Sequence, residues 1–251
     1  MARSARPVPG RSAAARIGSG LLDLLFPRHC VRCGAMGDFI CELCSGGMML
    51  ANGERCPICW SGHTGERCLR CPYVRPPFTA ARSVFVYDSE TLPTYEHDGG
   101  VRSAVHALKY RGVSSLAPVM AAPMAAVLLE WAPQVDVIVP VPLFGMRKRI
   151  RGYNQSELLA REISRTTGIA VEAGALVRAR ATPPQARQVG YDARLANMER
   201  AFAAGSCTVR GSNVLLVDDV MTTGATLGAC ARVILDAGAT QVFALTYARE
   251  D

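Results

Sequence analysis

The chain has 251 residues, 49% of them hydrophobic, and its 28 Lys and Arg against 21 Asp and Glu give a formal net charge of +7. That length fits one domain of roughly 170 residues with a small appendage and leaves enough apolar material for a core. No apolar run approaches the ~20 residues of a membrane-crossing helix, so no membrane span is expected.

Residues 1–20 carry Arg3, Arg6, Arg11 and Arg16 among Pro, Gly, Ala and Ser, with no acid. Such a mixture buries too little apolar surface to order itself and reads as a disordered basic tail. Leu21 to Phe26 is too short for a secretory apolar region and contains Asp23; it reads as a short helix stopped at Pro27. A cytoplasmic location is expected.

Four C-x-x-C pairs follow, Cys30/Cys33, Cys41/Cys44, Cys56/Cys59 and Cys68/Cys71, separated by gaps of seven, eleven and eight residues. Two sulfurs on a tight turn reach one ion, and four thiolates give Zn²⁺ the tetrahedral shell of a closed structural site. Two structural Zn²⁺ are therefore expected, in two consecutive ribbons with the short gaps as hairpins, or in an interleaved cross-brace. A disulfide framework is the rival, but no secretory signal precedes it. Two such sites would remove about four charges from the total, because each sets four thiolates against a divalent ion. Arg28, His29, Arg32, Arg55, Arg67, Arg70 and Arg75, with Trp60 and Tyr73 among them, suit either a phosphate backbone with stacked bases or a solvated basic face. His29 and His63 are spare once eight cysteines fill two sites.

The prolines of 72–77 mark a boundary, which divides the chain into a tail (1–20), a double-ribbon module (21–76) and a larger domain (77–251). Ala81 to Tyr87 reads as a strand and Asp88 to Gly100 as a loop. Val101 to Tyr110 has helical apolar spacing, and Lys109 and Arg111 are explained as cations at its C-terminus. A second helix is expected over Leu116 to Trp131. Val135 to Val141 is a strand that leads into a basic loop with Arg147, Lys148, Arg149 and Arg151, and a helix opens at Gly152–Gln155. Cationic side chains at the carboxyl end of a strand are placed to hold an anion. Cys207 and Cys230 read as buried apolar side chains.

The most informative stretch runs from Val214 to Thr226. Val214–Val217 reads as a strand covered on both faces, Asp218 and Asp219 mark its end, and Thr222, Thr223, Gly224, Ala225 and Thr226 form a hydroxyl-and-glycine turn before a helix from Leu227 to Ala237. A helix N-terminus beyond a parallel strand suits a phosphate, and paired carboxylates suit a sugar diol or a cation. A ribose 5-phosphate meets both needs. No element is assigned beyond Ala237.

This run resembles, at every position, the phosphoribosyl pyrophosphate (PRPP) signature of type I phosphoribosyltransferases. The resemblance implies that Asp218 and Asp219 hold ribose hydroxyls, that Thr222, Thr223, Gly224, Ala225 and Thr226 hold the 5-phosphate, and that Mg²⁺ accompanies PRPP. Arg147, Lys148, Arg149 and Arg151 become candidates for pyrophosphate. With Val105–Gly112, Val139–Pro142, Arg151–Gln155, Leu21–Gly34, Pro183–Gln185 and Tyr191–Phe202, the chain resembles the ComF family, which couples zinc-binding cysteines to a phosphoribosyltransferase-like domain and has members that serve DNA uptake in competent bacteria. The implied fold is α/β, a type I phosphoribosyltransferase-like parallel sheet flanked by helices and preceded by a zinc-ribbon module.

Two functions follow from the resemblance. One is a PRPP-binding protein whose zinc ribbons handle single-stranded DNA in competence or DNA metabolism. The other is an active enzyme of the pentosyltransferase type that moves phosphoribosyl from PRPP to an acceptor. No acceptor pocket or catalytic base is recognised, and the sequence does not set the oligomeric state.

Overall fold

The computed structural model describes residues 27–62, 68, 71, 75–87, 100–179 and 201–250. The expected tail, the helix expected between Leu21 and Pro27, the loop from Asp88, the Tyr191 segment, Tyr73 and His63 lie wholly or mainly outside them.

Five strands form one parallel sheet in the order β1 (Ala80–Val86), β7 (Gln241–Arg249), β6 (Asn213–Met221), β2 (Val137–Pro140), β3 (Ala170–Val171). Both faces are covered, which is why β6 begins as the uninterrupted apolar run Val214–Val217. Alternate side chains serve the two layers. Ile138, Leu215, Val217 and Leu245 pack under three helices on one face: α2 (Val101–Tyr110), α3 (Ala117–Trp131) and α5 (Gln155–Thr167). Val137, Val139, Val214, Leu216 and Ala244 pack on the other face with α6 (Ala225–Asp236), through Leu227, Cys230 and Ile234. A small antiparallel pair, β4 (Leu176–Arg178) and β5 (Phe202–Ala204), sits beside that second layer.

Three expectations change. The segment Ser114–Trp131 is, by length and composition, long and apolar enough to cross a membrane. Its buried residues Leu116, Met120, Met124 and Leu128 pack into the core, however, so its apolarity is used against the sheet. The basic stretch after β2 is a short helix, α4 (Gly145–Arg151), rather than a loop. Strand β6 does not stop before the carboxylates; it carries Asp218 and Asp219 and runs on to Met221.

The strand order reverses between β6 and β2: from β6 the chain proceeds to β7 on one side, and from β2 to β3 on the other. Open parallel sheets bind ligands outside the strand ends at such a switch point.

The cysteine-rich part is docked onto this sheet. Ala51 N–H donates to Val84 O at 2.8 Å and Val86 N–H to Met49 O at 2.9 Å, so residues 49–51 run along the outer edge of β1. Its helix, α1 (Glu42–Gly46), carries the buried Cys44. The two knuckles repeat one design. Cys30 N–H donates to Ala35 O and Gly34 N–H to Cys30 O; Cys56 N–H donates to Ser61 O and Trp60 N–H to Cys56 O. The fifth residue of each turn is left-handed, with Gly34 at φ 77° and Trp60 at φ 57°. A tryptophan is strained there, and its contacts account for it: Nε1 donates to Ser83 O at 3.1 Å, and the Arg82 guanidinium lies 4.1 Å from one Trp60 ring centroid and 4.7 Å from the Trp131 ring. Trp60 is therefore held against the sheet by these contacts.

Candidate functional site

A cavity of about 310 Å³ opens at the switch point, between the ends of β6 and β2. The chain after β2, Val141–Leu143, forms one wall, and Asp218, Asp219, Val220, Thr222 and Thr226 form another. Asn154 explains how the first wall is set. Its Nδ2 donates to Val141 O at 3.0 Å while its Oδ1 accepts from Ser156 N–H at 3.2 Å, so one side chain caps α5 and ties it to the end of β2.

The expected basic cluster divides. Arg147 and Arg151, four residues apart on α4, line the cavity, whereas Lys148 and Arg149 do not. Residues at that spacing share a helix face. Lys148 instead lies 3.5 Å from Glu157. The Arg151 guanidinium lies over the Tyr110 ring at 5.4 Å and bonds Gln155 Oε1. Of the turn residues, Thr222 and Thr226 line the cavity; Thr223 Oγ1 accepts from Ala225 N–H at 3.3 Å, and Gly224 provides the left-handed φ of 79° that starts α6.

Sequence reasoning missed Lys109. Its ammonium is not spent on the C-terminus of α2 but reaches Asp219 Oδ1 at 2.8 Å, with 22% of the Lys109 side chain and 4% of the Asp219 side chain exposed. Burial lowers Lys109's proton affinity, yet the charges of Asp219 and Asp218 outweigh it and raise its pKa. Arg111, the other cation read as a cap, donates instead to Val31 O at 3.1 Å, in the first knuckle. Tyr87, Tyr110, Gln155, Ser156 and Arg178 are further cavity residues that the sequence did not single out.

Asp218 Oδ1 accepts from Ser156 Oγ at 2.7 Å and from Asp219 N–H at 2.9 Å. Burial and the neighbouring Asp219 nevertheless push its pKa up from 3.8 to about 7, against the pull of Lys109 and Ser156. A carboxyl that keeps its proton to about 7 when folded but releases it near 3.8 when unfolded contributes stability that is fully present below the lower value and lost as pH rises through the upper one. Urea melts at about pH 5 and about pH 8 should show wild-type stability falling across that interval, and Asp218→Asn should fall less. Equal slopes would mean that Asp218 ionises like an exposed carboxylate.

The eight paired cysteines form two consecutive groups, Cys30/Cys33/Cys41/Cys44 and Cys56/Cys59/Cys68/Cys71, each with its sulfurs within 4.8 Å of one another. The order is consecutive and not interleaved. Several Arg side chains that suggested a cationic face are used inside the module. Arg32 reaches Cys44 Sγ at 3.9 Å, Arg55 donates to Trp60 O at 3.0 Å and Asn52 O at 3.2 Å, and Arg28 lies over Phe39. His29 Nδ1 lies 2.8 Å from Pro27 O, outside the sulfur cluster.

Comparison with known proteins shows the family. Residues 111–250 match the phosphoribosyl transferase domain family. The chain is 32% identical over 210 residues to the DNA utilization protein YhgH of Salmonella typhi, covering 81% of this chain and 87% of that protein. It is 26% identical over 201 residues to the competence protein ComFC of Bacillus subtilis, covering 79% of each. The chain belongs to the ComF family. A solved adenine phosphoribosyltransferase from Leishmania tarentolae is a more distant likeness, at 14% identity and a TM-score of 0.37 over 60% of this chain and 76% of that one.

For this ComF chain the cysteine groups fit zinc. A tetrahedron of Zn–S bonds of ~2.3 Å puts its sulfurs ~3.8 Å apart, whereas a disulfide needs ~2.05 Å. The pairs Cys33–Cys41, Cys56–Cys71 and Cys59–Cys68 each stand at 3.6 Å. Burial pushes the Cys44 thiol up to about 12, while at Cys30 the N–H donors of the turn outweigh burial and bring it down to about 6. Four sulfurs this close can all be thiolates only with a cation among them, which is the charge state a bound zinc would supply. The Mg²⁺ that the resemblance implies is one that arrives with PRPP; within the ComF acidic pair, Asp219 Oδ1 faces an ammonium and Asp218 Oδ1 accepts two hydrogen bonds. No resident Mg²⁺ is assigned to it.

Proposed function

We propose that this protein binds PRPP in the cavity between β6 and β2 and handles single-stranded DNA in DNA uptake or utilisation, in a reducing, cytoplasmic setting suited to metal-bound thiolates. One observation carries the pocket: a cavity at the topological switch point sets the pair Asp218 and Asp219, with Thr222 and Thr226 beside the start of α6, against Arg147 and Arg151. In this reading the carboxylates accept from ribose hydroxyls, the turn before α6 takes the 5-phosphate on unpaired N–H groups and hydroxyls, and the two arginines take the pyrophosphate. Residues 21–76 form the metal module, with zinc in both clusters, and 77–251 the phosphoribosyltransferase-type domain.

The DNA role draws on the relatives' names and on the net charge. Its contacts come from cations that remain exposed, such as Arg75, Lys148 and Arg149. Catalysis is the second reading, and the position of Arg147 and Arg151 opposite the acidic pair favours it, since a departing pyrophosphate needs charge stabilisation there.

Titration of a fluorescent oligothymidine at several salt concentrations tests the DNA role. The logarithm of the affinity should fall by about 0.7 per phosphate contact for each tenfold rise in salt. Replacing Lys148 and Arg149 with Ala should reduce that slope while leaving PRPP binding in place. Absence of salt-sensitive binding at low ionic strength would remove DNA from the account and leave the transferase reading.

A further inference from the structure

The Lys109–Asp219 ion pair is unexplained by an anion pocket alone. A cation that lines a phosphate-binding cavity would be expected to face the ligand, yet Lys109 Nζ lies 2.8 Å from Asp219 Oδ1. The helix that carries it is fixed from two sides. Tyr153 Oη donates to Leu108 O at 2.6 Å, and Arg111 donates to Val31 O at 3.1 Å, next to the metal-cluster residue Cys30. Asp219 is itself 3% exposed, and its second oxygen, Oδ2, is buried with no hydrogen-bond partner among the described residues. A buried acceptor left without a donor is costly, and a hydroxyl brought by a ligand to the floor of the cavity would satisfy it.

We propose that Lys109 is a positioning residue for the sugar: it holds the Asp219 carboxylate in place, with its other oxygen spare for a ribose hydroxyl, and does not itself carry the phosphates. The assignment rests on the phosphoribosyl reading above. It makes the acidic pair asymmetric, with Asp219 fixed by Lys109 from α2 and Asp218 fixed by Ser156 from α5. It also gives the cysteine module a part in the pocket, because the first knuckle holds α2 through Arg111.

Calorimetric titration with three probes separates positioning from direct contact: PRPP, ribose 5-phosphate and inorganic pyrophosphate. Lys109→Met should weaken PRPP and ribose 5-phosphate by roughly tenfold or more, the scale of one charge-assisted hydrogen bond, and leave pyrophosphate within about twofold. Lys109→Arg should recover part of the loss. Should Lys109→Met fail to fold, Asp219→Asn and the double variant Lys109→Met/Asp219→Asn, whose pair is neutral, give the same answer. The two should bind PRPP equally, since Lys109 acts only through Asp219. A further tenfold loss in the double variant, or weakened pyrophosphate binding in Lys109→Met, would mean that Lys109 touches the ligand and would overturn the assignment. Wild-type protein that binds pyrophosphate but neither ribose compound overturns the assignment while sparing the anion site; wild-type protein that binds none of the three overturns the phosphoribosyl reading and the assignment with it.

Discussion

Replacing Cys56 and Cys59 with serine should abolish the cooperative unfolding transition of the native protein or lower its midpoint by well over ten degrees. A structural Zn²⁺ site contributes roughly 10 to 16 kcal/mol, and the second cysteine cluster supports more than its own turn. Arg249, at the end of β7 and 1% exposed, donates to Cys59 O and to Ser61 Oγ, each at 2.6 Å. A guanidinium buried this deeply is tolerable only while those acceptors stay in place. Arg249 also accepts Tyr87 N–H at its carbonyl, and it pairs with Met221 across the sheet. Collapse of the second knuckle therefore reaches the strand ends that frame the cavity. Elemental analysis of wild type should return close to two zinc ions per chain, and thermal melts should place the variant far below it. At about 2 to 4 °C per kcal/mol for a chain of this size, a midpoint within a few degrees of wild type would mean the cluster holds no structural metal.

The acidic pair should have the largest effect on ligand binding. Asp218→Asn with Asp219→Asn replaces both carboxylates proposed to accept from ribose hydroxyls with weaker neutral acceptors, at an expected cost of at least ~1.5 to 3 kcal/mol, or roughly ten- to a hundredfold in affinity. The structure separates the two substitutions. Asp219→Asn leaves the Lys109 ammonium facing a neutral amide, so it should lower stability as well as affinity. Asp218→Asn replaces a carboxyl already shifted to about 7 and should preserve the fold. A single Asp218→Asn variant that melts no lower than wild type at about pH 7 but binds PRPP less tightly would therefore isolate the ligand contribution.

The parts of this account that were legible in the sequence are those carried by local pattern. Cys30 to Cys71 announced two sulfur clusters because four C-x-x-C turns have little other use, and Val214 to Thr226 announced strand, carboxylates and turn because apolar run, acids and glycine occur in the order in which a parallel strand delivers them. Lys109 was not legible. A cation in the last turn of a helix is already explained by the helix dipole, and its partner Asp219 comes from the far end of the chain. Arg147 and Arg151 could have been separated from Lys148 and Arg149 by reading the basic run as a helix, whose four-residue spacing selects one face; read as a loop, all four looked equivalent. Strand β7 is harder to see in the sequence although Val242–Leu245 is a buried apolar run, because no motif follows it to mark a function. The contacts of Trp60 are equally hidden from local pattern, because an aromatic among arginines suits base stacking while its bond to Ser83 depends on a strand 23 residues away.

The central claim is that PRPP occupies the cavity at the end of β6, and isothermal titration of PRPP into wild-type protein and Asp218→Asn, in a magnesium-containing buffer at about pH 7.5, tests it most directly. The account predicts one saturable site in wild type and an affinity at least about tenfold weaker in Asp218→Asn, at a stability no lower than wild type. Equal affinities in the two proteins would place PRPP elsewhere, and no binding to wild type would contradict the account outright.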